Sequence, residues 1–300
     1  MTALQALIKR NTRLFVKDKG TFFTAMITPM ILMVLYVTFL GNVYKDSFVD
    51  MTASFGVTLS DEILNGCAGG QLLASLLAVC TVTVAFCSNM IMVQDKVSGA
   101  RKDITLSPVS PATLALGYYL STYLVTLLIC LVATALGFGY LAMSGWFLSV
   151  GDVICVLADV VLMTLFGTAL SGVVNFFLNS QGQISAVGSI VSACYGFICG
   201  AYMPISSFAP GLQKVLSFLP GTYGTALLKN HTMQGSLDAM ERAGLPKEGT
   251  TLIKDMMDCN VYFFDQQVSP VVMAMIVLGF SLAMVGLYLL FYKWQNKKHA

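Results

Sequence analysis

TLALGYYLSTYLVTLLICLVATALGFGYLAM, residues 113–143, runs for 31 positions without one charged side chain. A helix that crosses a bilayer needs about 20 mainly apolar residues. Five further stretches read the same way: 22–40, 67–93, 153–178, 184–203 and 270–292. The composition agrees. Of 300 residues, 56% are hydrophobic and only 11% charged, and the mean hydropathy is +0.76. Soluble domains carry roughly 25% charged residues. So few charges cannot cover a soluble surface, which excludes a cytosolic enzyme, a nucleic-acid binder and a disordered chain. The expected fold is an all-α polytopic membrane protein with six transmembrane helices in one domain, 1–300.

The net charge of +2 hides an asymmetry. With both termini in the cytoplasm, the inside holds Lys9, Arg10, Arg13, Lys17, Lys19, Lys96, Arg101, Lys102, Lys293, Lys297 and Lys298, against Asp18, Asp95 and Asp103. The outside is acidic. Short cytoplasmic loops carry the excess of Lys and Arg, so the expected topology is multi-pass with both termini inside a cell (plasma) membrane. The first 20 residues lack the uninterrupted apolar core and cleavage site of a signal peptide. Residues 2–19 read instead as an amphipathic helix lying in the interface, with Leu4, Leu7, Ile8, Leu14 and Phe15 on one face and basic residues opposite.

The connections are unequal. Residues 41–66 read as an external loop. Residues 204–269 form the largest soluble segment, external in this topology. Its first part, broken by Pro204, Pro210 and Pro220, is too interrupted for a seventh span and is expected to dip part-way into the membrane as short re-entrant helices. Its later part, 235–267, is polar and is expected to form small helices outside. Six of the eight cysteines lie in apolar runs and read as small hydrophobes. No Cys-x-x-Cys pair occurs and His is scarce, so no metal or cofactor is expected. Cys67 and Cys259 stand as either a disulfide or two free thiols. Asn230-His231-Thr232 fits the glycosylation pattern, a match short enough to arise by chance.

The long cytoplasmic loop reads VQDKVSGARKDITLSPVSPATLALG, 93–117. It is compact, charged and punctuated by Gly99, Pro108 and Pro111, and it ties two long spans together. With the stretch GAYMPISSFAPGLQKVLSFLPGTYGTALLKN, 200–230, this loop resembles the permease subunits of ABC-2 type transporters, which export drugs, lipids or polysaccharides. The loop follows the family pattern of acid, base, Gly and a later Ser-Pro. It departs from it at Val97, where a second acid is usual, and at Ala100, where Thr is usual. The resemblance implies a coupling helix within 94–112, touching a separate ATP-binding cassette ATPase subunit through Asp95, Lys96, Gly99, Arg101, Lys102, Asp103, Ile104, Ser107 and Pro108. It also implies a dimer with a second permease copy or a paralogue. The chain contains no Gly-Lys dipeptide and hence no phosphate-cradling loop of its own. Hydrolysis of ATP is thus expected on the partner, and this chain is expected to be a transport subunit and not an enzyme.

Few residues inside the spans carry polarity. Asp159 is the one ionisable group well inside a span; it reads either as a translocation or gating residue or as half of an interhelical hydrogen bond. Asn175, Asn179 and Gln183 flank the inner ends of spans four and five, as a gate or as helix-to-helix glue. Gly69-Gly70-Gln71 reads as helix packing. The sparse charge fits a lipid-like or amphiphilic cargo. The competing readings are an ion-coupled carrier or channel that works without an ATPase, and a membrane scaffold; the first would be expected to show several intramembrane charges.

Overall fold

A computed structural model describes residues 2–264 and 266–297. Helix α1 (Ala3–Lys17) starts on a capping box: Thr2 Oγ1 accepts from the Gln5 N–H, and the Gln5 side chain accepts from the Thr2 N–H. Its buried face, Leu7, Asn11 and Phe15, packs on a later long helix. Asp18 caps α2 (Lys19–Leu35) by accepting from the Thr21 hydroxyl at 2.6 Å and the Thr21 N–H at 3.1 Å, and that bonding, the hydroxyl first, holds its carboxyl below the usual carboxylate range. A π-helical turn, Tyr36–Leu40, and α3 (Gly41–Ala53) prolong α2 without a break. The first half of the expected external loop is therefore helix. Tyr44, Phe48 and Thr52, spaced four apart, form its buried face, and Lys45 reaches Asp61 at 2.8 Å.

The bundle is built around α4 (Asp61–Ser88), which is buried along nearly its whole length. It continues through Asn89 into α5 (Met90–Ser98) and, after Gly99, α6 (Ala100–Leu106). Then follow α7 (Pro111–Ser144), α8 (Val150–Phe176) and α9 (Gln181–Ile198). A short 3-10 turn (Ile205–Ser207), α10 (Pro210–Leu216), α11 (Pro220–Arg242) and α12 (Lys247–Met256) come next. An antiparallel hairpin, β1 (Val261–Phe263) with β2 (Gln266–Val268), precedes the last helix, α13 (Pro270–Lys297). The hairpin is a small departure from an all-α fold.

Among the described residues, five helical stretches are long and apolar enough to cross a membrane: Lys19–Ala53, Asp61–Ser98, Pro111–Ser144, Val150–Phe176 and Pro270–Gln295. The run expected over 184–203 is α9, an 18-residue helix rich in Ser and Gly that is not among those five. Pro204, Pro210 and Pro220 act as sequence rules require. Pro210 and Pro220 open α10 and α11 at positions where no N–H is needed, and Pro204 precedes the 3-10 turn.

Helix α11 is longer and more buried than the short re-entrant and outer helices expected there. Its 23 residues include part of the stretch read as polar external helices, yet most are buried against α4, α8 and α13. It packs through apolar side chains, among them Leu227, Leu228, Met233, Leu237 and Met240, and through close backbone approach. A methyl group on Gly70 would lie 2.5 Å from the Thr232 carbonyl oxygen, and one on Gly235 only 1.9 Å from that of Phe147. Gly70 is thus a packing feature between α4 and α11, while its neighbour Gly69 faces Leu141 of α7. Glycines and polar residues interrupt its apolar run, which is why hydropathy gave short pieces and not one buried helix.

Candidate functional site

The end of the bundle that carries α1, α5 and α6 holds the most connected polar cluster. Asp95, in the last turn of α5, is buried. Arg10 grips it with both arms: Nη1 donates to Oδ2 at 2.7 Å and Nη2 to Oδ1 at 2.9 Å. The Tyr118 hydroxyl, from α7, donates to Oδ2 at 2.6 Å. A carboxylate so buried needs such donors, since an unpaired charge there costs several kcal/mol. Hydrogen bonding to Asp95 in turn pushes the Arg10 guanidinium above its ordinary value. Arg10, read from the sequence as part of a basic outer face of α1, is instead the bolt that fastens α1 to α5.

The next residues fasten the same segment to two more helices. Lys96 Nζ donates to the carbonyls of Phe176 and Leu178, the latter at 3.1 Å, and lies 5.1 Å from the Phe176 ring centre. It therefore caps the C-terminal end of α8, where carbonyls lack partners and a cation is favoured. Arg101 Nη2 donates to Gln295 Oε1 at 2.7 Å, and its guanidinium lies 4.8 Å from the Tyr292 ring centre, a cation–π contact on α13. Gly99, at φ 85°, makes the sharp turn between α5 and α6 in a conformation that side chains disfavour.

The nine residues expected to couple therefore divide. Asp95 and Lys96 turn inward and Arg101 is half-buried against α13. Lys102, Asp103, Ser107 and Pro108 face outward, and Ile104 is half-buried. Leu106 is 87% exposed, a large apolar side chain on a short surface helix. Sequence reasoning missed Tyr118, Gln295, Tyr292 and the Phe176 and Leu178 carbonyls at the end of α8. One signal was present: a lone acid at the edge of a long apolar run, within reach of a basic helix.

The second candidate group does not assemble. Asp159 lies nine residues into α8, about 14 Å from its start, and pairs with His231 Nδ1 on α11 at 2.5 Å. Asn175 is buried at the far end of α8, about 24 Å along the helix axis from Asp159. Asn179 and Gln183 close the α8–α9 turn: the Asn179 N–H donates to Gln183 Oε1 at 2.7 Å, and Asn179 Nδ2 donates to the Phe177 carbonyl at 3.1 Å.

At the opposite end, consecutive residues of α11 make a second cluster. Lys229, fully buried, donates to the carbonyls of Gly200 at 2.9 Å and Met257 at 2.8 Å, with Asp258 Oδ2 3.8 Å away. Burial pushes the Asp258 carboxyl up. Asn230 Nδ2 donates to the carbonyls of Ala226 and Cys259, so this amide is engaged within the fold. Cys67 and Cys259 are both buried free thiols, and Cys259 Sγ lies 3.9 Å from Met233 Sδ. Burial pushes the Cys259 thiol up to about 12. Among the described residues, no group of three or more His, Cys, Asp or Glu is placed to hold a metal ion.

The chain belongs to the ABC-2 transporter family: the family model described as "ABC-2 family transporter protein" matches residues 61–294. No curated protein matches the chain. Members of this family are the membrane components of transporters and are not themselves catalytic, so the chain is a multi-pass membrane transport protein.

Proposed function

We propose that this chain is the permease subunit of an ATP-driven exporter, coupled to a separate ATP-binding cassette ATPase through residues 94–110. One observation carries the reading: α6 presents Leu106, Lys102 and Asp103 outward, while the residues just before and at its start are fastened to α1, α7, α8 and α13. A push on such a surface reaches four helices of the bundle through charge-assisted bonds. The basic end then faces the cytoplasm, both termini included, in the plasma membrane. Helix α9 serves as the fifth of six spans, and α10 with the start of α11 forms the re-entrant segment at Pro204, Pro210 and Pro220. A second permease copy completes the transporter. The cargo is amphiphilic, drug-like or lipid-like, in keeping with spans whose one buried acid is already paired. Asp159 lies near the outer part of the path, and Asn175, Asn179 and Gln183 near its inner end.

The test is reconstitution with the cognate ATPase in proteoliposomes. The triple variant Leu106→Asp, Lys102→Glu, Asp103→Lys is expected to keep its thermal midpoint yet lose co-purification with the ATPase and substrate-stimulated hydrolysis. Single cysteines at positions 2 and 103 are expected to be labelled only from the cytoplasmic side. Transport that persists without ATP would sink the proposal in favour of an ion-coupled carrier.

A further inference from the structure

Buried acids inside membrane bundles are costly and need a partner. Asp159 has one: its carboxylate meets His231 Nδ1 at 2.5 Å, with the acid's side chain 7% and the imidazole 25% exposed. The imidazole is thus the more exposed half of the pair. We infer that Asp159 and His231 form a proton-binding site which seats α11 against α8 when the imidazole is protonated and loosens that seat when it is not. Calling this the outer half of the bundle rests on the topology proposed above; the pair and its test do not.

The geometry gives the site leverage. Helix α11 is keyed to its neighbours by contacts that leave no slack. Gly70 lies against the Thr232 carbonyl, Gly224 against Met163 of α8, and Gly235 against the Phe147 carbonyl. Packed interfaces of this kind shift between discrete arrangements and do not stretch. The two residues before His231 hold the α9–α10 connection through Gly200, and the segment after α12 through Met257 and Cys259. Any movement of α11 therefore carries these segments with it.

The charged surroundings favour the protonated imidazole. Hydrogen bonding to Asp159 raises the His231 pKa above its ordinary value, opposed by burial, and Asp152 at the start of α8 adds to the rise. Helix α4 brings no charged side chain between Glu62 and Asp95, and α13 none between Pro270 and Lys293. From α12, Lys254 is engaged with Gln234 at 3.0 Å; on α11 itself, Lys229 points to the Gly200 and Met257 carbonyls. A group whose pKa is higher folded than unfolded contributes its stability in full below the unfolded value. That contribution is lost as the pH rises through the folded value.

The experiment measures the unfolding midpoint of the purified full chain in detergent from about pH 5.5 to 8.5. The wild type is expected to lose stability as pH rises through the window above His231's ordinary pKa, the folding constant falling by as much as folding raises the imidazole's proton affinity. His231→Gln is expected to flatten that fall, and His231→Arg, permanently charged, to flatten it at the stabilised level. Asp159→Asn is expected to flatten it as well, and the double variant Asp159→Asn with His231→Gln to be no less stable than the weaker single. The chain's other histidine, His299, is unchanged in every variant. A His231→Gln slope equal to that of the wild type, or additive losses in the double variant, would overturn the proposal.

Discussion

Replacing Arg10 by Gln removes both guanidinium bonds to Asp95 and leaves that carboxylate with the Tyr118 hydroxyl alone. Hydrogen bonds to a charged group are worth about 1.5–3 kcal/mol each. Stripping a fully buried ion of its partner costs about 3–5 kcal/mol. Two facts lower the figure here. The Arg10 side chain is 33% exposed, so solvent screens part of the attraction, and Tyr118 remains. A loss of about 2–3 kcal/mol follows. Asp95→Asn keeps an oxygen that accepts from Tyr118 but sets an amide against the guanidinium, at about 2 kcal/mol. Each substitution breaks the same contact, so the double variant should cost far less than the sum, with a coupling of about 1–2 kcal/mol. Denaturant unfolding in mixed micelles reads these values, and trypsin cleavage at Arg13 and Lys17 reports release of α1. Single losses that add to within about 0.5 kcal/mol would refute the claim that Arg10 and Asp95 hold α1 to α5.

Other consequences are equally open to measurement. Gly70→Ala should destabilise by about 1–3 kcal/mol, because its methyl would strike backbone at Thr232. Gly279→Ala, with open space around it, should be neutral or stabilising by up to about 1 kcal/mol; equal effects at the two sites would contradict the packing described. Lys229→Met strands the Gly200 and Met257 carbonyls and leaves Asp258 with only the Ile205 and Ser206 N–H groups, and should cost about 3–5 kcal/mol, seen as loss of folded protein on size exclusion. Arg101→Gln removes the stacking on Tyr292 and the charge in its bond to Gln295, a loss of about 1 kcal/mol. By the proposed coupling it should weaken ATPase stimulation more than Leu-to-Ala changes on the lipid-facing side of α13.

Much of the fold was legible because long apolar runs have few alternatives in water. The first four spans and the last, the amphipathic α1 and the place of the 94–112 loop all follow from spacing and charge. What stayed hidden has a common cause. Helix α3 continues α2 through a segment whose charges suggested a loop, yet Tyr44, Phe48 and Thr52 give it a buried face. Helix α11 intersperses its apolar residues with Gly, Thr and Ser, whose value lies in how closely they let backbones approach. Partners such as Tyr118 and His231 are 23 and 72 residues from the acids they meet. No local pattern encodes such a pairing; only the helix packing brings the two together. Asp159 drew notice as a lone intramembrane acid, whereas His231 was read only as part of a glycosylation match.

The fastenings of the 95–101 segment act in parallel. Asp95 is tied to α1 and α7, Lys96 to α8, and Arg101 to α13. Supports arranged this way share a load, and their stiffnesses add. Losing one shifts strain to the others and does not cut the connection, so damage at this end of the bundle should be graded. A chain in series, by contrast, fails at its weakest link.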